Sequence, residues 1–160
     1  MIVASQLLLL LLIANGAPII ARNLLGKRWN RPLDGGRTFL DGRPWLGASK
    51  TLRGILAAII ACGVTAALLG IPLITGVLAA IGAMLGDLLS SFTKRRLRIA
   101  PSAMAPGLDQ IPESLLPTLL VGSQLGLTPG WGVATIAAFV ALELLLSRIL
   151  FALRIRKRPY

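Results

Sequence analysis

The chain has 160 residues, of which 55% are hydrophobic and 14% are charged. Because soluble globular domains carry about 25% charged residues, this composition favours a membrane protein. The chain has no histidine and one cysteine, which excludes Ser-His-Asp triads, zinc sites built on imidazole and an intramolecular disulfide. Any catalysis must therefore depend on carboxylates, lysine, arginine and a metal ion.

Apolar segments long enough to cross a membrane alternate with basic blocks. Since a crossing helix needs roughly 20 mostly apolar residues, the first segment qualifies, and two longer uncharged runs divide at Gly70-Ile71-Pro72 and Thr128-Pro129-Gly130. We predict an all-α integral membrane protein, a single domain over residues 1–160 with five transmembrane helices. The expected spans are residues 2–21, 54–70, 72–90, 112–127 and 130–153.

The net charge of +11 comes from basic residues in three blocks, at 22–53, 94–98 and 148–158. The positive-inside rule places such blocks on the cytoplasmic side. We therefore expect cytoplasmic loops at 22–53 and 91–111, a basic cytoplasmic tail at 154–160 and an N-terminus outside. A cleaved signal peptide is the weaker interpretation of the first segment, because no basic residue precedes it. The first loop is rich in glycine and aromatic residues, which favours an ordered segment. We predict that the protein is a multi-pass protein of the cell membrane.

Asp87 lies in an otherwise apolar helix, where a carboxylate is costly and is by default a candidate for function. Ser91, Lys94 and Arg95 follow on the same helical face. Such a stripe suits Mg²⁺ bound to a polyphosphate, with the carboxylate and hydroxyl on the metal and the cations on phosphate oxygens. The alternative is a helix end where Asp87 pairs with Lys94 or Arg95 and the cations reach lipid headgroups.

Asp109 precedes the fourth predicted span and has two interpretations. It is either an N-cap of the next helix or a second metal-binding carboxylate on the membrane face that carries Asp87. Residues 47–54, Gly-Ala-Ser-Lys-Thr-Leu-Arg-Gly, offer small residues and cations ahead of a helix, as in a phosphate cradle. They lack the spacing of a P-loop, and the alternative is a basic flank. Glu143 in the fifth span is expected to be structural.

Two separated segments resemble the CDP-archaeol synthase family, which is related to the CDP-diacylglycerol synthases. Residues 86–95, Gly-Asp-Leu-Leu-Ser-Ser-Phe-Thr-Lys-Arg, and residues 106–110, Pro-Gly-Leu-Asp-Gln, are similar to the signature of the wider group. Asp41-Gly42-Arg43 and residues 49–54 are similar to the first loop of the archaeal family. Gln110, where the bacterial diacylglycerol enzymes have arginine, is a departure that favours the archaeal branch.

The resemblance implies Mg²⁺-dependent transfer of CMP from CTP to an unsaturated archaetidic acid, giving CDP-archaeol and pyrophosphate. The implied partners are CTP, an isoprenoid ether-lipid phosphate and membrane lipids, without nucleic acid, and a homodimer is compatible with the sequence. Asp87, Asp109 and Lys94 are the expected catalytic residues, the two aspartates as metal ligands. The expected nucleotide or phosphate contacts are Asp41, Ser49, Lys50, Thr51, Arg53, Ser91, Lys94 and Arg95. Asn15, Asn23 and Glu113 are weaker candidates for the lipid phosphate or for a structural role.

Two other classes of protein compete with this interpretation. A small transporter subunit would place polar groups along a path at the membrane midplane, where only Asn15, Gln124 and Glu143 qualify. A non-catalytic protein that binds anionic lipid through its basic loops needs no paired acids. Release of pyrophosphate from CTP would distinguish the enzyme from both.

Overall fold

The computed structural model describes residues 1–101, 103 and 105–152. The expected end of the fifth span at residue 153 and the basic tail at 154–160 lie outside these residues. Five helices make up most of the described chain. They are α1 (Ile2–Leu25), α2 (Leu52–Leu68), α3 (Leu73–Arg96), α4 (Gln110–Val121) and α5 (Pro129–Ala152). Two isolated β-bridges, Pro32 with Thr51 and Thr38 with Pro44, are the β-type pairings found in the described part.

Three of the described helices are long and apolar enough to cross a membrane. They are α1, α3 and the Pro129–Ile149 part of α5, whereas α2 is apolar but has 17 residues. The predicted all-α membrane class is therefore confirmed for the described residues. Helix α4 has only 12 residues.

The helix ends differ from the predicted span ends. Helix α1 continues to Leu25, and α3 continues to Arg96, so that Ser91, Lys94 and Arg95 are helical and not part of a loop. Hydropathy falls where the chain leaves the apolar region, but the α3 helix continues because basic residues in a last turn interact favourably with the helix dipole. Helix α4 ends at Val121, short of the expected residue 127.

Helix α3 packs between α2 and α4 through glycines. A Cβ atom at Gly82 would lie 2.8 Å from the Cα atom of Pro117, and a Cβ atom at Gly86 would overlap the carbonyl of Pro112. Only glycine permits such an approach of two backbones. The close contact places Asp87, which follows Gly86, against the first turn of α4.

The loop between α1 and α2 is held by hydrogen bonds to the half-buried side chain of Asp34. Asp34 accepts hydrogen bonds from the backbone N–H groups of Gly36, Leu46 and Gly47. Burial opposes ionisation of this carboxyl, but the hydrogen bonds from Gly47, Gly36 and Leu46 outweigh it and lower the pKa of Asp34 below its usual value. The Asp34 carboxylate thus joins the two halves of the loop and sets the position of residues 46–50.

Candidate active site at the end of α3

Lys50 and Asp87 form an ion pair between the first loop and α3. The Lys50 Nζ atom lies 2.6 Å from Oδ2 of Asp87 and donates to both carboxylate oxygens. The two side chains are about one-fifth exposed, so the pair is shielded from water but still accessible. The alternative in which Asp87 pairs with Lys94 or Arg95 is wrong, because Lys50 occupies this carboxylate and Lys94 pairs with Asp109.

A second carboxyl group accompanies Asp87. Glu113 in the first turn of α4 is 4% exposed and lies close to Asp87, Glu143 and Lys50. Glu113, a weak candidate from the sequence, is thus placed in the centre of the site.

Lys94 and Asp109 form a second, more deeply buried pair. The Lys94 Nζ atom lies 2.6 Å from Oδ1 of Asp109, and both side chains are about nine-tenths buried. Lys94 also donates to the Ala103 carbonyl, and Asp109 Oδ2 accepts from the Ala105 N–H group. Asp109 stands at the N-cap position of α4, but its side chain makes no capping hydrogen bond. The capping interpretation is therefore wrong.

The assignment of Asp87 and Asp109 as metal ligands stays a prediction. Lys94 lies seven residues after Asp87, two helical turns along α3, which corresponds to about 10 Å. Each aspartate is paired with its own lysine, and both carboxylate oxygens of Asp109 are engaged. In this structure Asp109 holds Lys94 and the backbone N–H group of Ala105.

The remaining candidates on α3 are buried. Ser91 is 1% exposed and Arg95 is 4% exposed. The Arg95 Nη2 atom donates to the Ala100 carbonyl at 3.1 Å. Together with Lys94, these residues form the continuous polar stripe that the helical spacing predicts.

Several predicted phosphate ligands have structural contacts instead. The Thr51 hydroxyl caps α2 by accepting from the Gly54 N–H group. Arg53, 6% exposed, donates to the carbonyls of Gly26 and Arg28 and to Asn30. These contacts occupy the Arg53 guanidinium, so we assign Thr51 and Arg53 to the fold of the loop. Ser49 is exposed.

Asp41 pairs with Arg96, a residue that the sequence pattern did not single out. Arg96 Nη1 donates to Asp41, and Nη2 donates to the Pro44 carbonyl at 2.7 Å. The guanidinium carbon lies 4.7 Å from the centre of the Phe39 ring and 5.0 Å from that of Phe92. Asp41 is therefore a structural contact that fixes the first loop on α3. The only sequence signal for this role was the aromatic content of the loop.

The two candidate asparagines, Asn15 and Asn23, both lie in α1. Asn15 donates to the Leu11 carbonyl within its own helix. Asn23 is exposed near the end of α1. The surroundings of Asn15 and Asn23 give no support for a role with the lipid phosphate.

Comparison with known proteins matches the sequence of this chain to one family over nearly its whole length. The family model described as "CarS-like: CDP-archaeol synthase" matches residues 2–73 and 70–160. The CDP-archaeol synthase of Aeropyrum pernix is 38% identical over 165 residues, which cover 98% of this chain and 91% of that protein. The chain belongs to the family of CDP-archaeol synthase enzymes. The resemblance seen in the sequence is therefore confirmed.

Other relatives match over part of their length. The CDP-archaeol synthase of Hyperthermus butylicus is 45% identical over 106 residues, 62% of this chain and 60% of that protein. The synthase of Thermofilum pendens is 39% identical over 62% of this chain and 51% of its own length. The alignments with these two relatives thus span about half to three-fifths of their length.

A solved structure shares this fold. Described as "Structural insight into an intramembrane enzyme for archaeal membrane lipids biosynthesis", it is 35% identical and has a TM-score of 0.75. The match covers 88% of this chain and 90% of the solved chain. The helical arrangement around α3 is therefore that of an intramembrane enzyme.

Proposed function

We propose that this protein transfers CMP from CTP to an unsaturated archaetidic acid, 2,3-bis-geranylgeranylglycerol 1-phosphate, giving CDP-archaeol and pyrophosphate. The observation that carries the proposal is the pair of Lys–Asp contacts, Lys50 with Asp87 and Lys94 with Asp109, arranged along one end of a membrane helix. Ordered cations and carboxylates at this position suit a polyphosphate and an anionic lipid headgroup. Membership of the CDP-archaeol synthase family supports the same reaction.

The reaction needs no protein nucleophile. An oxygen of the lipid phosphate attacks the α-phosphorus of CTP, and the bond between the α-phosphorus and the bridging oxygen breaks. Catalysis of this kind depends on positioning and on stabilising the charge of the phosphoryl groups. Lys50 and Lys94 are the residues that we assign to these phosphate oxygens. Glu113 lies beside Asp87, whose carboxylate is held by Lys50.

The residues at this site also fit a magnesium ion. Within the described residues, no group of three or more acidic, histidine or cysteine side chains is arranged to hold a metal. Mg²⁺, however, is usually bound by one or two carboxylates together with substrate phosphates, and Asp87 at the partly exposed end of this site provides one such carboxylate. A bound Mg²⁺ would neutralise charge on the triphosphate.

We further propose that the chain crosses the cell membrane five times with its N-terminus outside, the 12-residue α4 and the turn after it forming the shortest crossing. The three basic blocks are then all cytoplasmic, as the positive-inside rule requires. Single cysteines at residues 72 and 100, introduced into a Cys62→Ala background, are expected to react with an impermeant thiol reagent from opposite sides. Labelling of both from the same side would contradict this topology.

The function is tested with purified protein in detergent, CTP, Mg²⁺ and an unsaturated archaetidic acid. We expect pyrophosphate and CDP-archaeol to form in equal amounts, and neither to form when the lipid phosphate is omitted. ATP in place of CTP serves as a nucleotide control. A purified protein that binds anionic lipid but produces no pyrophosphate would favour the non-catalytic alternative.

A further inference from the structure

A basic segment follows α1 at the depth of the lipid headgroups. Helix α1 has 24 residues, which corresponds to about 36 Å and exceeds a hydrocarbon core of about 30 Å. Residues 28–31, Arg-Trp-Asn-Arg, begin three residues after the helix ends at Leu25, and no acidic residue precedes Asp34 in the chain. We call residues 28–31 the anchor segment. Asp34 is occupied by backbone N–H groups, so the anchor segment keeps its positive charge.

One side of the anchor segment is fixed to the protein. The buried Arg53 side chain at the start of α2 donates to the carbonyls of Gly26 and Arg28 and to Oδ1 of Asn30. These hydrogen bonds hold the backbone before and within the segment, and they turn the Asn30 side chain towards α2. Because a buried guanidinium is costly to leave unpaired, the anchor segment is a fixed part of the fold.

The other side of the anchor segment faces outward. Arg28 and Arg31 are exposed, and neither side chain forms a hydrogen bond or an ion pair within the described part of the chain. The Trp29 side chain is 79% exposed, and its backbone φ is 54°. A residue other than glycine rarely adopts this left-handed conformation, and such strain is often found where a ligand binds. The fold thus presents an aromatic ring between two cations whose charges have no partner in the described chain.

We propose that the anchor segment binds the anionic headgroups of bilayer lipids in the leaflet at this end of α1. Arginines next to a transmembrane helix are attracted to anionic headgroups, and a guanidinium matches the geometry of phosphate oxygens. Tryptophan is enriched at the same depth, where its ring is partly in contact with the acyl chains. Arg28 and Arg31 therefore bind phosphate groups, and Trp29 enters the interface between them. The proposal is independent of the reaction, because the lipids concerned are those of the bilayer and not the substrate.

The anchor segment is connected to the part of the loop that carries Lys50. Directly after the segment, Pro32 forms a β-bridge with Thr51. The Leu33 N–H group donates to the Lys50 carbonyl at 2.7 Å. Because these two stretches of chain are paired, an anchor segment bound to headgroups also restrains the backbone of Lys50. The membrane surface thereby contributes to the position of this lysine.

The test measures how far the Trp29 ring is protected from acrylamide, a neutral aqueous quencher of fluorescence. The full-length protein is reconstituted in nanodiscs of phosphatidylcholine, with or without phosphatidylglycerol, in the absence of CTP and lipid phosphate. The fluorescence of Trp29 is obtained as the difference between the wild-type protein and Trp29→Phe. Phosphatidylglycerol is expected to lower the quenching constant of Trp29 by at least about twofold, and a raised ionic strength is expected to reverse this change.

Two variants separate the anchor segment from the other basic residues. The Arg28→Gln, Arg31→Gln double variant, measured against the same variant with Trp29→Phe, is expected to lose the response to phosphatidylglycerol. Both arginines are exposed, so their replacement is expected to leave folding intact. Arg37→Gln, at an exposed arginine of the same loop outside the segment, is expected to retain the response. Equal quenching of wild-type Trp29 in the two kinds of nanodisc would overturn the assignment, and so would a response that persists in the double variant.

Hydrogen exchange provides a second measurement, which tests the connection to Lys50. Phosphatidylglycerol is expected to slow exchange of the Leu33 N–H group, which is bonded to the Lys50 carbonyl, in the wild-type protein but not in the double variant. Slower exchange to the same extent in both proteins would contradict the role of Arg28 and Arg31. Protection of Trp29 without any change at Leu33 would contradict the restraint on Lys50. Absence of CTP turnover would contradict the proposed function alone, since neither measurement contains CTP.

Discussion

Replacement of Asp87 by asparagine is expected to reduce turnover of CTP by at least about a hundredfold, on the scale of removing a dominant electrostatic group from an active site. The amide keeps the shape of the side chain but removes the charge that pairs with Lys50. It also provides a poorer oxygen ligand for a cation bound to the triphosphate. The rate is measured as pyrophosphate release at saturating CTP and lipid phosphate.

A loss of activity at Asp87 has a structural explanation that must be separated from the chemical one. Breaking one side of a buried ion pair leaves the other charge uncompensated, which costs about 3–5 kcal/mol when both groups are fully buried. The pair of Lys50 with Asp87 is about one-fifth exposed, so a smaller cost is expected. Thermal unfolding in detergent measures this cost independently of turnover.

The matched control neutralises both partners. In a Lys50→Gln, Asp87→Asn double variant no unpaired charge remains, so stability is expected to return toward that of the wild-type protein. Turnover is expected to stay low, because the site then lacks both the carboxylate and the cation. A double variant with turnover within a few-fold of wild type would reduce Asp87 to a structural partner of Lys50.

The sequence was sufficient to predict five helices and their approximate positions, although not all of their ends. Apolar length indicated the membrane class, and the helical period placed Asp87, Ser91, Lys94 and Arg95 on one face. These are local properties, because residues three and four apart on a helix share a face whatever surrounds them. The structure retains this stripe on α3.

The pairing of the charged groups could not be predicted in the same way. Lys50 and Asp87 are 37 residues apart, and they meet because the first loop folds back over α3. That path depends on Asp34, whose carboxylate binds three backbone N–H groups, and on Arg96, which binds Asp41 and the Pro44 carbonyl. Neither contact has a sequence spacing that distinguishes it from an ordinary surface charge.

The role of Glu113 depended on backbone packing. Its proximity to Asp87 requires α3 and α4 to approach until Gly86 touches the backbone of Pro112. A glycine followed by an aspartate in an apolar segment is also consistent with a simple helix end. Contact between the two carboxyl groups therefore follows from the tertiary structure and was only a weak expectation from the sequence.

Lys50→Gln and Lys94→Gln are each expected to lower kcat/KM for CTP by about a hundredfold or more, which corresponds to a few kcal/mol of transition-state stabilisation. Lys50 is paired with Asp87 close to Glu113, and Lys94 is paired with Asp109. A lysine in such a closed environment interacts with a phosphate far more strongly than one exposed to water. The measurement is initial rate against CTP concentration at fixed lipid phosphate.

The control for these two variants is Lys27→Gln. Lys27 lies in the same basic block as Lys50 but is exposed, so it represents a lysine that contributes only to topology and to the surface potential. Its replacement is expected to change kcat/KM by no more than a few-fold. Small and equal effects at all three positions would contradict the assignment of Lys50 and Lys94 to the triphosphate. A large loss at Lys94 alone, together with a lowered unfolding temperature, would indicate that its buried pair with Asp109 supports the fold and that Lys50 has no role in catalysis.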